Sequence, residues 1–220
     1  MKSRGIHKVI LIIGILVLGI IWQTMRGTSD QYPLTNFPPK GTTIVALGDS
    51  LTVGMGSSEN RNGYVSVLEQ RFGVKIINKG VGGNTTRDAL ARLNDDVLSY
   101  HPDIVIVLIG SNDYLRQELH EDTFKNLSTI ITRIQEQGAV VILIGARGGA
   151  LTDTFAEDFE IIAKKTGSAF VPGILDGILG NAKLMSDEIH PNDAGYLKMA
   201  DKIAPVFGGI ILSVSAPNKE

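Results

Sequence analysis

At 220 residues with a net charge of −2, the chain is sized for one domain with its own core plus an appendage. It has no cysteine, which excludes disulfides, thiolate metal sites and cysteine nucleophiles. Residues 1–26 carry four basic side chains and no acid, leaving a body with 17 basic and 23 acidic groups that offers phosphate backbones little and argues against nucleic acid as a partner.

Lys2, Arg4 and Lys8 precede an uninterrupted apolar run, Val9–Trp22, and the next charge is Arg26. As a helix, Val9 to Met25 would span about 25 Å at ~1.5 Å per residue, slightly under a ~30 Å hydrocarbon core. Lys8 and Arg26 can snorkel at its two ends, and Trp22 suits an interface. A cleaved signal peptide needs a small-residue cleavage site, yet the first alanine of the chain is Ala46. The sequence therefore favours an uncleaved transmembrane anchor over residues 1–26, ahead of a cleaved signal segment or a buried helix. The leading positive charges place the body on the extracytoplasmic side, periplasmic or extracellular, with secretion after cleavage as the alternative.

Residues 27–40 are polar and proline-bearing without periodicity and read as a tether. Apolar runs then appear at 43–47, 74–78, 104–109, 139–145 and 169–172. Ile104–Ile109 and Val140–Ile144 are apolar at every position, as strands covered on both faces must be. Between the runs lie helical periods. Leu90, Leu93 and Val97 mark one face of a helix over 86–100, opposed by Arg87, Arg92, Asp95 and Asp96. Phe124, Leu127, Ile131 and Ile134 do the same over 121–137, where Gly138 ends the helix. Thr85–Asp88 and Thr154–Glu157 have the form of capping boxes. A last helix follows Pro191, with Tyr196, Met199, Ile203 and Val206 as its apolar face. This alternation predicts an α/β domain over 41–208, a three-layer α/β/α (flavodoxin-like) arrangement on a five-stranded parallel sheet, followed by a tail over 209–220.

In such sheets, sites form beyond the carboxyl ends of the strands. Gly48-Asp49-Ser50 leaves the first strand, Gly82-Gly83-Asn84 follows the second, and Gly110-Ser111-Asn112-Asp113 follows the third. Gly145-Ala146-Arg147 follows the fourth, and Asp187-Glu188-Ile189-His190-Pro191 stands near the end of the chain. A serine hydroxyl attacks an ester only when a base within reach takes its proton, and the base needs a carboxylate to orient it. Asp187 and His190 are three residues apart, and Pro191 restricts His190 to extended geometry. His101 precedes the third strand and so belongs to the opposite rim. His120 remains a competing base, with only Glu121 and Asp122 as nearby acids. His190 is favoured because it combines the right rim with a close acid partner.

GDSL at 48–51, GGNTT at 82–86, GSND at 110–113 and DEIHPN at 187–192 occur in the order and spacing of the SGNH, or GDSL, hydrolase family. The chain resembles in particular the bacterial branch of secreted arylesterases that also act as thioesterases and lysophospholipases, over about residues 43–207. The resemblance implies that Ser50 is the nucleophile, His190 the base and Asp187 its orienter. It also implies an oxyanion hole from the Ser50 and Gly83 backbone N–H groups and the Asn112 side chain, with Asp49 and Asp113 shaping loops. Asn84, Tyr114 and Glu188 depart from that branch, which usually has Asp, Gly and Gly there, and the loop 148–154 lacks aromatic residues.

Other chemistries are poorly supported. There is no G-x-S-x-G elbow, no phosphate-binding glycine pattern and no H-E-x-x-H pair. The expectation is a serine esterase that uses no cofactor and no metal. Its substrates are short-acyl or aryl esters, lysophospholipids or acetylated envelope polysaccharides, and Leu51 and Tyr114 shape its acyl pocket. A tethered binding module without turnover is the alternative from another class.

Overall fold

The computed structural model describes residues 32–58, 62–146 and 154–214. The apolar stretch 9–25, Arg147, the loop 148–153 and residues 215–220 lie outside them. Among the described residues no helix is long and apolar enough to cross a membrane. The chain divides into two units, Met1–Pro33 and Leu34–Glu220, and the second holds the sheet.

Five parallel strands, β1 (Ile44–Gly48), β2 (Ile76–Gly80), β3 (Ile104–Leu108), β4 (Val140–Ile144) and β5 (Ala169–Val171), form one sheet in the order β2-β1-β3-β4-β5. Their connections hold α1 (Ser50–Val53), α2 (Tyr64–Phe72), α3 (Thr86–Ala91), α4 (Leu93–Asp96), α5 (Ser111–Leu115), α6 (His120–Glu136) and α7 (Thr154–Thr166), and α8 (Asp193–Val214) follows β5. Every residue of β1, β3 and β4 is buried, the outcome that their unbroken apolar runs require.

Alternate strand residues supply two separate cores. Ile44, Ala46, Ile104, Ile106 and Ile142 pack with Tyr64 and Leu68 of α2 and Tyr196, Met199, Ile203 and Phe207 of α8. Val45, Leu47, Val105, Val107 and Val141 pack on the opposite face with Leu93, Leu127, Ile131 and Phe159. The period of two along each strand thus produces a three-layer α/β/α body. The chain moves from β1 to β2 on one side and then to β3 on the other. The crevice beyond the carboxyl ends of β1 and β3 is the switch point where open α/β sheets place ligands.

Three boundaries differ from those expected. The single helix over 86–100 is instead α3, α4 and a 3-10 turn at Leu98–Tyr100, broken at Arg92, whose φ of −99° and ψ of 5° are not helical. A periodic pattern of side chains survives such a bend, so periodicity alone missed it. The last helix extends to Val214, past the expected tail boundary at 209, because Ile210 and Ile211 continue its buried face. The stretch read as tether is pinned to the body near its end. The Thr35 N–H donates to the Gly167 carbonyl at 2.8 Å, and Asn36 Nδ2 donates to the Gln135 and Ala139 carbonyls at 2.8 and 3.0 Å.

Candidate active site

β1 ends at Gly48, and the chain turns at once into α1. Asp49 caps this helix: its Oδ1 accepts the Leu51 N–H at 3.0 Å, and its carbonyl accepts the N–H groups of Thr52 and Val53. Ser50 is therefore the first helical residue, half-buried at the mouth of the sheet. Asp49 itself is buried, and desolvation pushes its carboxyl up to about 6, opposed first by the Leu51 N–H bond. Leu51, expected to shape the acyl pocket, is only 3% exposed and packs in the core on the α2/α8 side of the sheet. It offers almost no surface to a substrate.

Asp187 and His190 sit in a tight turn closed by pairing of Met185 with Pro191 and by the Ser186 N–H donating to the His190 carbonyl at 2.9 Å. Asp187 Oδ1 accepts the N–H groups of Ile189 and His190 at 2.8 and 2.7 Å, which fixes the carboxylate before it meets the imidazole. Its Oδ2 lies 2.8 Å from His190 Nδ1, and His190 Nε2 lies 3.1 Å from Ser50 Oγ. With the Nδ1–H donated to the carboxylate, Nε2 is left to accept the Ser50 proton. The His190 bond, followed by the Ile189 N–H, draws the Asp187 carboxyl down to about 2, so it remains charged well into acid. The His190 side chain is 13% exposed, whereas that of Asp187 is 53% exposed.

Close approach of α1 to this turn requires glycine at position 56. Gly56 has φ +88°, and a Cβ there would stand 2.7 Å from the Pro191 carbonyl oxygen and 2.8 Å from His190 Cβ. Tyr196 of α8 locks the same segment by donating its hydroxyl to the Met55 carbonyl at 2.7 Å.

The remaining donors converge from two other strand ends. Asn112 lies in α5, its Nδ2 donating to the Asn84 carbonyl at 3.0 Å and reaching Asp49 Oδ2 at 3.5 Å. Gly83, at φ +78°, sits one residue before Asn84, and its carbonyl accepts Arg116 Nη2 at 2.7 Å. Among the described residues no acceptor takes the backbone N–H of Ser50 or Gly83. Asp113 shapes its loop as expected. Buried, it accepts the Thr86 N–H at 2.8 Å and the hydroxyls of Thr86 and Thr123 at 2.5 and 3.3 Å, joining α3, α5 and α6.

His120, the competing base, is engaged elsewhere. Its Nε2 is 2.9 Å from Asp158 Oδ2, and its ring packs on Phe124 and Phe155. Local spacing could not reveal an acid that arrives from α7. Tyr114 packs edge-to-face on Phe155 in the same aromatic cluster, with ring centroids 5.4 Å apart. His101 ends the 3-10 turn before β3, on the rim away from Ser50. Arg92 was assigned by the sequence only to a polar helix face. Its guanidinium in fact reaches the loops around Ser50, and spacing within a helical period carried no signal of that reach. No group of three or more His, Asp or Glu side chains among the described residues comes together to hold a metal ion.

Residues 46–198 match the family model described as the GDSL-like Lipase/Acylhydrolase family. The chain is 28% identical over 171 residues to an arylesterase of Vibrio mimicus, covering 73% of this chain and 86% of that one. It is 26% identical over 200 residues to an acetylxylan esterase of Geobacillus stearothermophilus, covering 73% and 91%. The crystal structure of TesA superposes with a TM-score of 0.72 at 25% identity, over 76% of this chain and 99% of that one. With its match running from β1 into α8 and enclosing all the loops described above, the chain belongs to the GDSL-like lipase/acylhydrolase family of ester hydrolases.

Proposed function

We propose that the protein hydrolyses short-acyl or aryl carboxylic esters through an acyl-enzyme on Ser50. The observation that carries this reading is the continuous relay from Ser50 Oγ to His190 Nε2 at 3.1 Å and from His190 Nδ1 to Asp187 Oδ2 at 2.8 Å. Ser50 Oγ attacks the ester carbonyl carbon while its proton passes to His190 Nε2. Asp187 stabilises the imidazolium and holds the ring. Negative charge on the former carbonyl oxygen faces the N–H groups of Ser50 and Gly83 and the Asn112 amide, where each such donor contributes roughly 3 kcal/mol to the transition state. Collapse expels the alcohol, which takes the proton from Nε2. Water then repeats the sequence on the acyl-enzyme and releases the acid. The step needs no redox or group-carrier cofactor.

A second reading, O-deacetylation of an envelope polysaccharide, draws support from the acetylxylan esterase relative. Lysophospholipids form a third substrate class for the same relay. The apolar stretch 9–25 and its basic flank support a membrane-tethered enzyme facing the extracytoplasmic side. One experiment separates the aryl-ester reading from the polysaccharide reading. Purified full-length protein is assayed on p-nitrophenyl esters of increasing chain length, on acetylated xylan and on lysophosphatidylcholine, beside Ser50→Ala. Turnover is expected to fall as the acyl chain lengthens and to be abolished by Ser50→Ala. Turnover unchanged in Ser50→Ala refutes the assignment of the nucleophile, and acetate release from xylan exceeding the aryl-ester rate selects the second reading.

A further inference from the structure

We infer that Arg92 is the positioning residue that holds the three oxyanion donors of the proposed site in one geometry and so sets kcat without touching the substrate. The inference rests on the esterase reading above. Four acceptors surround the guanidinium. Nε donates to Asn84 Oδ1 at 2.6 Å, Nη1 to the Lys79 carbonyl at 2.9 Å and to Asp96 Oδ2 at 2.8 Å, and Nη2 to the Gly48 carbonyl at 3.0 Å. The side chain is 18% exposed, so these bonds face little competition from water.

The identity of the acceptors gives the role. Gly48 is the last residue of β1, two before Ser50, and its carbonyl also accepts the Val81 N–H at 3.0 Å. Lys79 lies in β2, at the start of the loop that carries Gly83. Asn84 follows Gly83, and its own carbonyl accepts Asn112 Nδ2 at 3.0 Å. One guanidinium therefore ties together the exits of β1 and β2 directly and that of β3 through Asn84, and these exits carry Ser50, Gly83 and Asn112. One hydrogen of the Asn112 amide is held by Asn84. The other has only the 3.5 Å contact with Asp49 Oδ2 and is the one available to an oxyanion.

The residue type and the chain path suit this role. Four acceptors in a shallow fork need a planar group with five N–H donors, which lysine lacks. Arg92 stands at the non-helical break between α3 and α4, from which its side chain reaches back toward the sheet. Asp96, one turn on, takes the remaining edge of the guanidinium and is held charged by it, its carboxyl drawn below the ordinary value.

The test compares wild type, Arg92→Ala, Arg92→Lys and Asn84→Ala on p-nitrophenyl acetate, with kcat taken per active site titrated by a fluorophosphonate. Arg92→Ala is expected to lose about 10²-fold in kcat with KM within threefold, since misplacing a preorganised donor by about 1 Å costs that much. Arg92→Lys and Asn84→Ala are expected to lose on the order of tenfold, and millimolar guanidinium should restore part of the Arg92→Ala rate. A residue that served stability alone would lower the number of titratable sites and leave kcat per site and its rescue unmoved. Folded Arg92→Ala with kcat within threefold of wild type overturns the inference. If Arg92→Ala does not fold, Arg92→Lys and Asn84→Ala at wild-type kcat overturn it equally. A wild-type protein that neither turns over ester nor takes the fluorophosphonate removes the esterase reading and this inference with it.

Discussion

A carboxylate buried one residue from the proposed nucleophile makes stability depend on pH. Asp49 is 1% exposed, and burial raises its carboxyl from 3.8 to about 6. A folded-state value above the unfolded one means that stability is greatest below 3.8 and declines as pH rises through about 6. The total loss is about 3 kcal/mol for a shift of this size. Asn at position 49 keeps an acceptor for the Leu51 N–H and carries no charge. Wild type should show a falling urea midpoint between pH 4.5 and 8, and Asp49→Asn should flatten it; equal slopes in both proteins would refute this account of Asp49. Asp187 has the opposite sign. Its value of about 2 gives stability above 3.8 that is lost only as pH falls through about 2, so it leaves that window untouched. In the proposed relay its role is orientation: Asp187→Asn should lower kcat by up to about 10⁴-fold while the melting temperature changes little, because its side chain is half in solvent. A loss of less than tenfold would show that His190 is oriented without it.

Helices and turns set the distances between these residues. Gly56→Ala adds a methyl group 2.8 Å from His190 Cβ on a φ of +88°, so the imidazole must shift or the turn must open. An activity loss of at least tenfold with intact folding is expected, and wild-type rates in Gly56→Ala would show that the turn yields without moving His190. Further along α8, Phe207 is fully buried with an edge contact on Phe72, and Phe207→Ala should cost about 3–5 kcal/mol by urea denaturation. A cost under 1 kcal/mol would mean that α8 is not integral to the core. At this scale the sequence was most readable where one face or two had to be buried. Ile104–Leu108 and Val140–Ile144 follow from their apolar runs, and the Thr85–Asp88 capping box forms with both reciprocal bonds. The break at Arg92, the burial of Leu51 and the Asp158 partner of His120 were not readable. Each depends on which segment lies across the fold, and local spacing carries no record of that. The Ser50–His190 contact spans 140 residues; the rule for strand ends favoured His190 over the other histidines, and the resemblance to the hydrolase family paired it with Ser50.

For the whole molecule, the sheet order brings one crevice at the β1/β3 switch point together with a loop from the far end of the chain. The proposed tether adds a location to that body. Full-length protein expressed in a bacterium should sediment with membranes, resist carbonate extraction and keep residues 1–26 by intact mass; a soluble species lacking them would favour a cleaved signal segment. Activation of the hydroxyl at position 50 by the imidazole at position 190 is read out by intact and peptide mass spectrometry after fluorophosphonate treatment. One adduct per chain is expected, located on Ser50, absent in Ser50→Ala and formed far more slowly in His190→Ala. A folded wild-type protein that takes no adduct, or takes it at a residue other than Ser50, would contradict it.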